Sequence, residues 1–257
     1  MRLTFYKYQG TGNDFIIVDD RQKELGNHSN EFVQKLCDRR LGIGADGFIV
    51  LRDHEEHDFE MIYHNADGSQ SLCGNGSRCV VHLAQQLGMI DQEAYFLTTD
   101  GTHQAHIQNG LIHVKMHDVT EVRELLEGYW LDTGSPHYVT WVKGLDSMDV
   151  YQQGQKIRNS GPFQKEGVNV NFVQRKDDRT LAMRTYERGV EGETLSCGTG
   201  ATAVALVASL EGSTSPVTID ARGGQLQVSF TKDSEQHFQN IYLIGPAQQV
   251  YQGTIDI

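Results

Sequence analysis

Apolar positions along this chain follow two rhythms. Residues 15–19, apolar up to the closing Asp19, and 48–51 form short apolar runs, and Phe59, Met61 and Tyr63 recur at every second position, as in strands. Phe32, Val33, Leu36, Cys37 and Leu41 instead fall on one helical face. The first 70 residues or so thus read as strand, loop, strand, helix, strand, strand. A helix is predicted from Gly74 with Gly88 as its stop signal. Strands follow at 95–98, around 105–107, and at Ile112, Val114 and Met116, the last two runs joined by Asn109-Gly110, a strong hairpin signal. In the second half, 181–187 reads as a strand and 198–210 as a helix. Strands at 217–219, 226–230 and 241–244 come after it, with Gly223-Gly224 as a turn.

The second half repeats the first. Cys73-Gly74-Asn75-Gly76 and Cys197-Gly198-Thr199-Gly200 each open an apolar helix with Ala at its twelfth position, Ala84 and Ala208. Both copies follow a strand and precede strands, and their offset is 197 − 73 = 124 residues in a chain of 257. The pattern predicts an α+β protein of two similar domains related by duplication, whose equivalent elements can face one cleft.

Composition narrows the function. A net charge of −12 disfavours nucleic acid, which requires clustered Lys and Arg. No stretch approaches the ~20 apolar residues that cross a bilayer, and the N-terminus shows no signal-peptide pattern, so a cytoplasmic address is expected. The cysteines Cys37, Cys73, Cys79 and Cys197 have neither zinc spacing nor a disulfide framework. Cys37 and Cys79 lie on apolar helical faces and read as core.

Cys73 and Cys197 sit differently. A helix N-terminus offers unpaired N–H groups and a positive field, which lower a thiol's pKa, while the glycines let backbone approach an anion such as a carboxylate. One such cysteine suggests a nucleophile. Two at equivalent repeat positions suggest proton removal from one face of a carbon and return to the other, with one group thiolate and its counterpart thiol. The helix N-termini would bind a carboxylate and stabilise enolate-like charge, with no metal or pyridoxal cofactor. Gly42-Ile43-Gly44-Ala45-Asp46-Gly47 fits a dinucleotide fingerprint but follows a helix and precedes a strand, so it reads as a loop. His54-Glu55-Glu56-His57 reads as a solvated turn, and no P-loop or serine-hydrolase elbow is present.

Ordered blocks along nearly the whole chain resemble the diaminopimelate epimerase family. They are Gly10-Thr11-Gly12-Asn13-Asp14-Phe15, Gly42 to Gly47, Asn65-Ala66-Asp67-Gly68-Ser69 and Cys73-Gly74-Asn75-Gly76. Gly134-Ser135-Pro136-His137, Val168-Asn169-Val170-Asn171-Phe172, Glu187-Arg188-Gly189, Glu193 to Gly200 and Gly245-Pro246-Ala247 continue the series. The resemblance implies two α+β domains, each a β-barrel-like sheet around a central helix, with the active site in the cleft between them. It places the first domain at 1–117 completed by a last strand at 246–257, and the second at 118–245. It further implies interconversion of LL- and meso-2,6-diaminopimelate, a small-molecule amino-acid substrate, no cofactor and a homodimer.

By motif position, Cys73 and Cys197 would be the acid–base pair, and His137 and Glu187 would orient or tune the thiols. Asn13, Asn65, Gly74, Asn75, Asn169, Glu187, Arg188, Gly198 and Thr199 match substrate-contacting positions. Amides and backbone N–H groups suit carboxylates, and Glu187 suits an ammonium group. The chain departs from the family pattern in three places. Ser135 stands where an Asn is common, and the stretch 187–194 carries one extra residue, which makes Glu193 a stand-in candidate for Glu187. The stretch from Asn65 to Cys73 is one residue shorter than in some members. Rival readings are a two-cysteine racemase of proline or histidine type and an inactive binding protein on the same fold.

Overall fold

The computed structural model describes residues 2–26, 28–177, 179–234 and 236–256. It divides into two compact units, the first running to Val114 and resuming at Gly245, the second covering Lys115–Ile244.

In the first unit, β1 (Arg2–Gly10) and β2 (Asn13–Asp19) form an antiparallel hairpin. Helix α1 (Asn30–Cys37) crosses to β3 (Gly47–Arg52), parallel to β2, and β4 (Phe59–Asn65) returns antiparallel. Helix α2 (Gly74–Gln86) crosses to β5 (Glu93–Thr98), parallel to β4. Strands β6 (Gly101–Gln108) and β7 (Leu111–Lys115) follow antiparallel. Asn109 and Gly110 both have positive φ, +53° and +76°, the type I′ geometry that suits the twist of a tight hairpin. The final strand, Gln248–Asp256, pairs antiparallel with β1.

The second unit opens with the short β8 (Val122–Leu125) and then repeats the sequence of pairings. Strands β9 (Gly128–Asp132) and β10 (Pro136–Trp141) are antiparallel. Helix α3 (Val150–Arg158) crosses to β11 (Asn169–Arg175), parallel to β10, and β12 (Thr180–Glu187) is antiparallel. A short β13 (Gly192–Thr194) doubles back on β12, and α4 (Gly198–Leu210) crosses to β14 (Val217–Ala221), parallel to β12. Strands β15 (Gly224–Ser234) and β16 (His237–Gly245) close the unit antiparallel. Duplication is therefore visible in strand topology as well as in the two motifs.

Both units place one helix on each side of their strands. Helix α2 packs against β1–β4 and the final strand, and α4 against β9–β12, β14 and β15. Outside this central helix, α1 covers one face through Val33, Leu36 and Cys37 against Ile16, Val18, Phe48 and Val50. Strands covered on both faces must be apolar at every position, which explains the continuous runs in β2 and β3. The central helices are buried along most of their length, Ala201 to Ser209 of α4 included. Cys37 and Cys79 are buried, as their helical positions predict.

Helix α3 seats against β12 through a glycine: a Cβ at Gly154 would lie 2.3 Å from Tyr186 Cβ. Replacing an exposed helical Gly by Ala normally stabilises by ~1 kcal/mol. Here Gly154→Ala should destabilise, by ~1–3 kcal/mol, because overpacking outweighs propensity. Urea unfolding of both proteins checks the sign; a more stable variant would show that α3 is not seated on Tyr186.

Candidate active site

In the first unit the site grows from the end of β4 and the start of α2. Cys73 is the N-cap of α2, and its Sγ accepts from the Gly76 N–H at 3.4 Å, so the thiol occupies the place where Ser or Asp usually caps a helix. It also lies 3.6 Å from Asn13 Oδ1. Asn13 is held in one orientation: its Nδ2 donates to Asp46 Oδ2 at 2.8 Å, and its Oδ1 accepts from Asn75 Nδ2 at 3.2 Å. An amide oxygen facing sulfur favours the protonated thiol, whereas the Gly76 N–H favours the thiolate.

Behind this chain stands Arg78, fully buried in α2. Its guanidinium donates to Asn75 Oδ1 at 3.0 Å, Thr11 Oγ1 at 3.1 Å and the Pro246 carbonyl at 3.3 Å. Among the described residues it forms no ion pair with a carboxylate, and burial draws its pKa down to about 10. Asn65 is placed differently. Its side chain ties the loop after β4 to Ser69 and Ser71, and its Oδ1 accepts from Tyr63 Oη at 3.1 Å. Tyr63, raised well above the usual phenol range by burial and the adjacent Cys73, links Asn65 to the thiol.

The second unit builds its site from the starts of β10 and β11, the end of β12 and the start of α4. Cys197 is the N-cap of α4 and is 8% exposed. Its Sγ is 3.5 Å from Thr199 Oγ1, and the Glu187 carboxylate adjoins it. Sequence reasoning placed a lowered pKa at this position; the structure reverses that for Cys197. Burial, then the Glu187 charge, push the thiol well above its ordinary value, outweighing the Thr199 hydroxyl and the Gly200 N–H. The helix field is present, but a nearly dry thiol beside a carboxylate keeps its proton.

Glu187 reaches Cys197 with the extra residue present. Register runs Glu187 to Gly192, and the insertion is absorbed in the turn, where Glu191 takes φ +52°. Glu187 Oε1 accepts from Thr194 Oγ1 at 2.6 Å. Glu193 is committed elsewhere, to Arg184 at 2.7 Å and Arg222 at 3.2 Å. Asn169 Oδ1 accepts from the Arg188 N–H at 2.9 Å, and its Nδ2 donates to the Pro136 carbonyl and Ser135 Oγ. The Arg188 guanidinium donates to the Glu166 carbonyl and lies outside this cluster of hydrogen bonds.

His137 is fully buried. Its Nε2 lies 2.9 Å from Thr199 Oγ1 and 3.0 Å from Ser135 Oγ, and its Nδ1 faces Asn171 Nδ2 at 3.0 Å. Burial, and next the Arg188 charge, lower its pKa to about 3. Tyr63, Arg78, Asn171 and Thr185 belong to these two clusters and were not among the sequence candidates. Arg78 carried a signal nonetheless: a lone cation on a helix otherwise destined for burial. The unfolded His137 imidazole binds a proton below 6.5, while the folded one refuses it down to about 3. Its stability contribution is therefore complete above pH 6.5 and lost as pH falls through this window, by up to ~1.4 kcal/mol per pH unit. His137→Asn should flatten the acid limb of a stability-against-pH curve between 6.5 and about 5, above the carboxylate range. Identical limbs in both proteins would show that the imidazole is not held neutral.

The diaminopimelate epimerase family model matches residues 5–126 and again 129–250, one match in each half. The diaminopimelate epimerase of Flavobacterium psychrophilum is 46% identical over 257 residues, covering 98% of this chain and 100% of that protein. That of Aquifex aeolicus is 38% identical over 275 residues, covering 98% of each. Among solved structures, a Bacillus anthracis phenazine biosynthesis protein of the PhzF family matches with a TM-score of 0.73 at 16% identity, covering 100% of both chains. A probable proline racemase from Agrobacterium radiobacter matches at 0.69 and 12%, covering 99% of this chain and 93% of that one. Those two share the fold. With the family pattern matched in each half and full-length relatives at this identity, the chain belongs to the diaminopimelate epimerase family.

Proposed function

We propose that the chain is a cofactor-independent epimerase that interconverts LL- and meso-2,6-diaminopimelate by moving a proton across the α-carbon. The observation that carries this reading is the pair of cysteines at the N-cap positions of the buried central helices, at equivalent points of two repeated units. In this scheme Cys73 and Cys197 serve opposite faces of the carbon. One removes the proton as thiolate while its counterpart returns one as thiol, and the roles exchange with reaction direction. The N–H groups that open α2 and α4, at Gly74, Asn75, Gly198 and Thr199, receive the substrate carboxylate and the charge that develops on it.

His137 and Glu187 tune the second thiol, Glu187 by taking up or returning its proton. Asn13, Asn65, Asn169 and Arg188 hold the polar groups of the substrate, and the exposed Arg188 guanidinium suits a distal carboxylate. The family resemblance supports a homodimer, and a cytoplasmic setting is the expected one. No helix among the described residues is long and apolar enough to cross a membrane.

The test is ¹H NMR of LL-diaminopimelate in deuterated water with reductant, chelator and no pyridoxal compound. Exchange at the α-carbon with formation of the meso isomer is expected, and proline and histidine should stay unexchanged. Cys73→Ala and Cys197→Ala should each abolish epimerisation while remaining folded by circular dichroism. Cys37→Ala and Cys79→Ala should lose at most ~1–3 kcal/mol of stability and keep kcat. A folded Cys73→Ala or Cys197→Ala enzyme with near-normal kcat would eliminate the two-thiol mechanism.

A further inference from the structure

A chain of buried polar side chains leads away from Cys197 into the second unit, and the protons of its amide and imidazole follow from the acceptors they meet. Asn171 is fully buried on β11. Its Nδ2 lies 3.2 Å from the Tyr138 carbonyl oxygen, which can only accept, so the atom there must be the amide nitrogen. The same nitrogen lies 3.0 Å from His137 Nδ1, which must therefore accept and carry no proton. Asn171 Oδ1 points the other way and accepts from Thr185 Oγ1 on β12 at 2.9 Å. With Nδ1 unprotonated, the ring proton sits on Nε2 and is donated to Thr199 Oγ1 at 2.9 Å, with Ser135 Oγ at 3.0 Å.

Ser135 Oγ accepts from Asn169 Nδ2 at 3.3 Å and can donate to Thr199 Oγ1 at 3.2 Å. With Ser135 as that donor, Thr199 Oγ1 accepts twice and its own hydroxyl proton is directed to Cys197 Sγ at 3.5 Å. The second glycine of the motif confirms that space is kept for this arrangement: a Cβ at Gly200 would lie 2.5 Å from Asn171 Oδ1.

We propose that Asn171 and Thr185 are positioning residues that lock His137 as its Nε2–H tautomer and thereby turn the Thr199 hydroxyl proton toward Cys197. The proposal rests on Cys197 acting as an acid–base group. A donor fixed at 3.5 Å from sulfur stabilises the thiolate more than the thiol. It therefore offsets part of the burial that opposes loss of the proton. A carboxylate at position 171 would demand a proton on Nδ1, leave Nε2 as an acceptor, and draw the Thr199 hydroxyl away from sulfur.

The experiment is ¹⁵N NMR of the His137 imidazole combined with kinetics on Asn171→Asp, Thr185→Val and Thr185→Ser. The wild-type ring should show a protonated Nε2 and a bare Nδ1, and Asn171→Asp should invert this. The inversion should lower kcat by roughly 10²-fold or more, within the ~10⁴ that a wrong tautomer costs a Ser-His-Asp triad, with KM little changed. It should also move the basic limb of the kcat–pH profile upward, since the Cys197 thiolate loses its donor. Thr185→Val should cause a smaller loss of kcat, restored by Thr185→Ser, which returns the hydroxyl.

A wild-type ring protonated on Nδ1 would overturn the assignment. An inverted ring with unchanged kcat, or Thr185→Val and Thr185→Ser behaving alike, would overturn the positioning role. Failure of the epimerase reading would appear separately, as no substrate exchange by the wild-type protein, and the NMR arm would still report the tautomer.

Discussion

Each unit encloses a helix in strands, and water is excluded from most of that helix's length. Polar groups at its N-terminal end cannot rely on solvent, so every donor and acceptor there needs a protein partner or a ligand. The rest of the site follows from this constraint. At α2 the N-cap Cys73 accepts from the Gly76 N–H, and at both helices cysteine adds a group that can give and take a proton. Around it, the amides of Asn13, Asn75 and Asn171 are each fixed by two or more bonds, because a half-satisfied buried amide would cost more than it contributes.

Much of this was legible in the chain itself. The continuous apolar runs of β2 and β3, the alternation of β4, the Asn109-Gly110 hairpin and the bounds of α4 follow from hydrophobic period and turn chemistry. The repeat was legible because a short motif recurs between matching elements. What escaped was the stretch from β8 to β11 with α3. Helix α3 reads Val-Tyr-Gln-Gln-Gly-Gln-Lys-Ile-Arg and buries only Val150 and Gly154, so its period is nearly silent. Strand β8 is half exposed and four residues long. Such elements are fixed by pairing partners distant in sequence, and no local pattern announces them.

The candidate site divides along the same line. The cysteines of the repeated motif, Cys73 and Cys197, can be named from spacing, and Asn75 and Thr199 beside them from the family resemblance. Residues joined only by sheet register cannot. Thr185 meets Asn171 because β12 runs antiparallel to β11 with those two residues paired, and nothing near Thr185 in sequence marks it. The reversal at Cys197 has a related cause. Sequence places the thiol in the helix field, but the competing terms, burial and the carboxylate arriving from the end of β12, exist only after folding.

The duplicated motif also conceals a divergence in purpose. Both copies end in glycine, and the shared spelling suggests a shared backbone reason. At Gly76 a Cβ would press on the flexible ends of Ile49 and Met61, at 3.2 and 3.4 Å, which can yield, and would touch Cys73 Cβ at an ordinary 3.5 Å. At Gly200 it would strike Asn171 Oδ1 at 2.5 Å, an oxygen already pinned by Thr185 and unable to move without releasing His137. The two cysteines thus share a helix position but not a polar surrounding, and only Cys73 accepts a cap bond from its helix. Cys73 faces an amide oxygen backed by the Asn75–Arg78 chain, and Cys197 faces the Thr199 hydroxyl backed by the His137 imidazole. A duplicated fold supplies two cysteines at equivalent positions; the side chains gathered by register give each its own set of donors and acceptors.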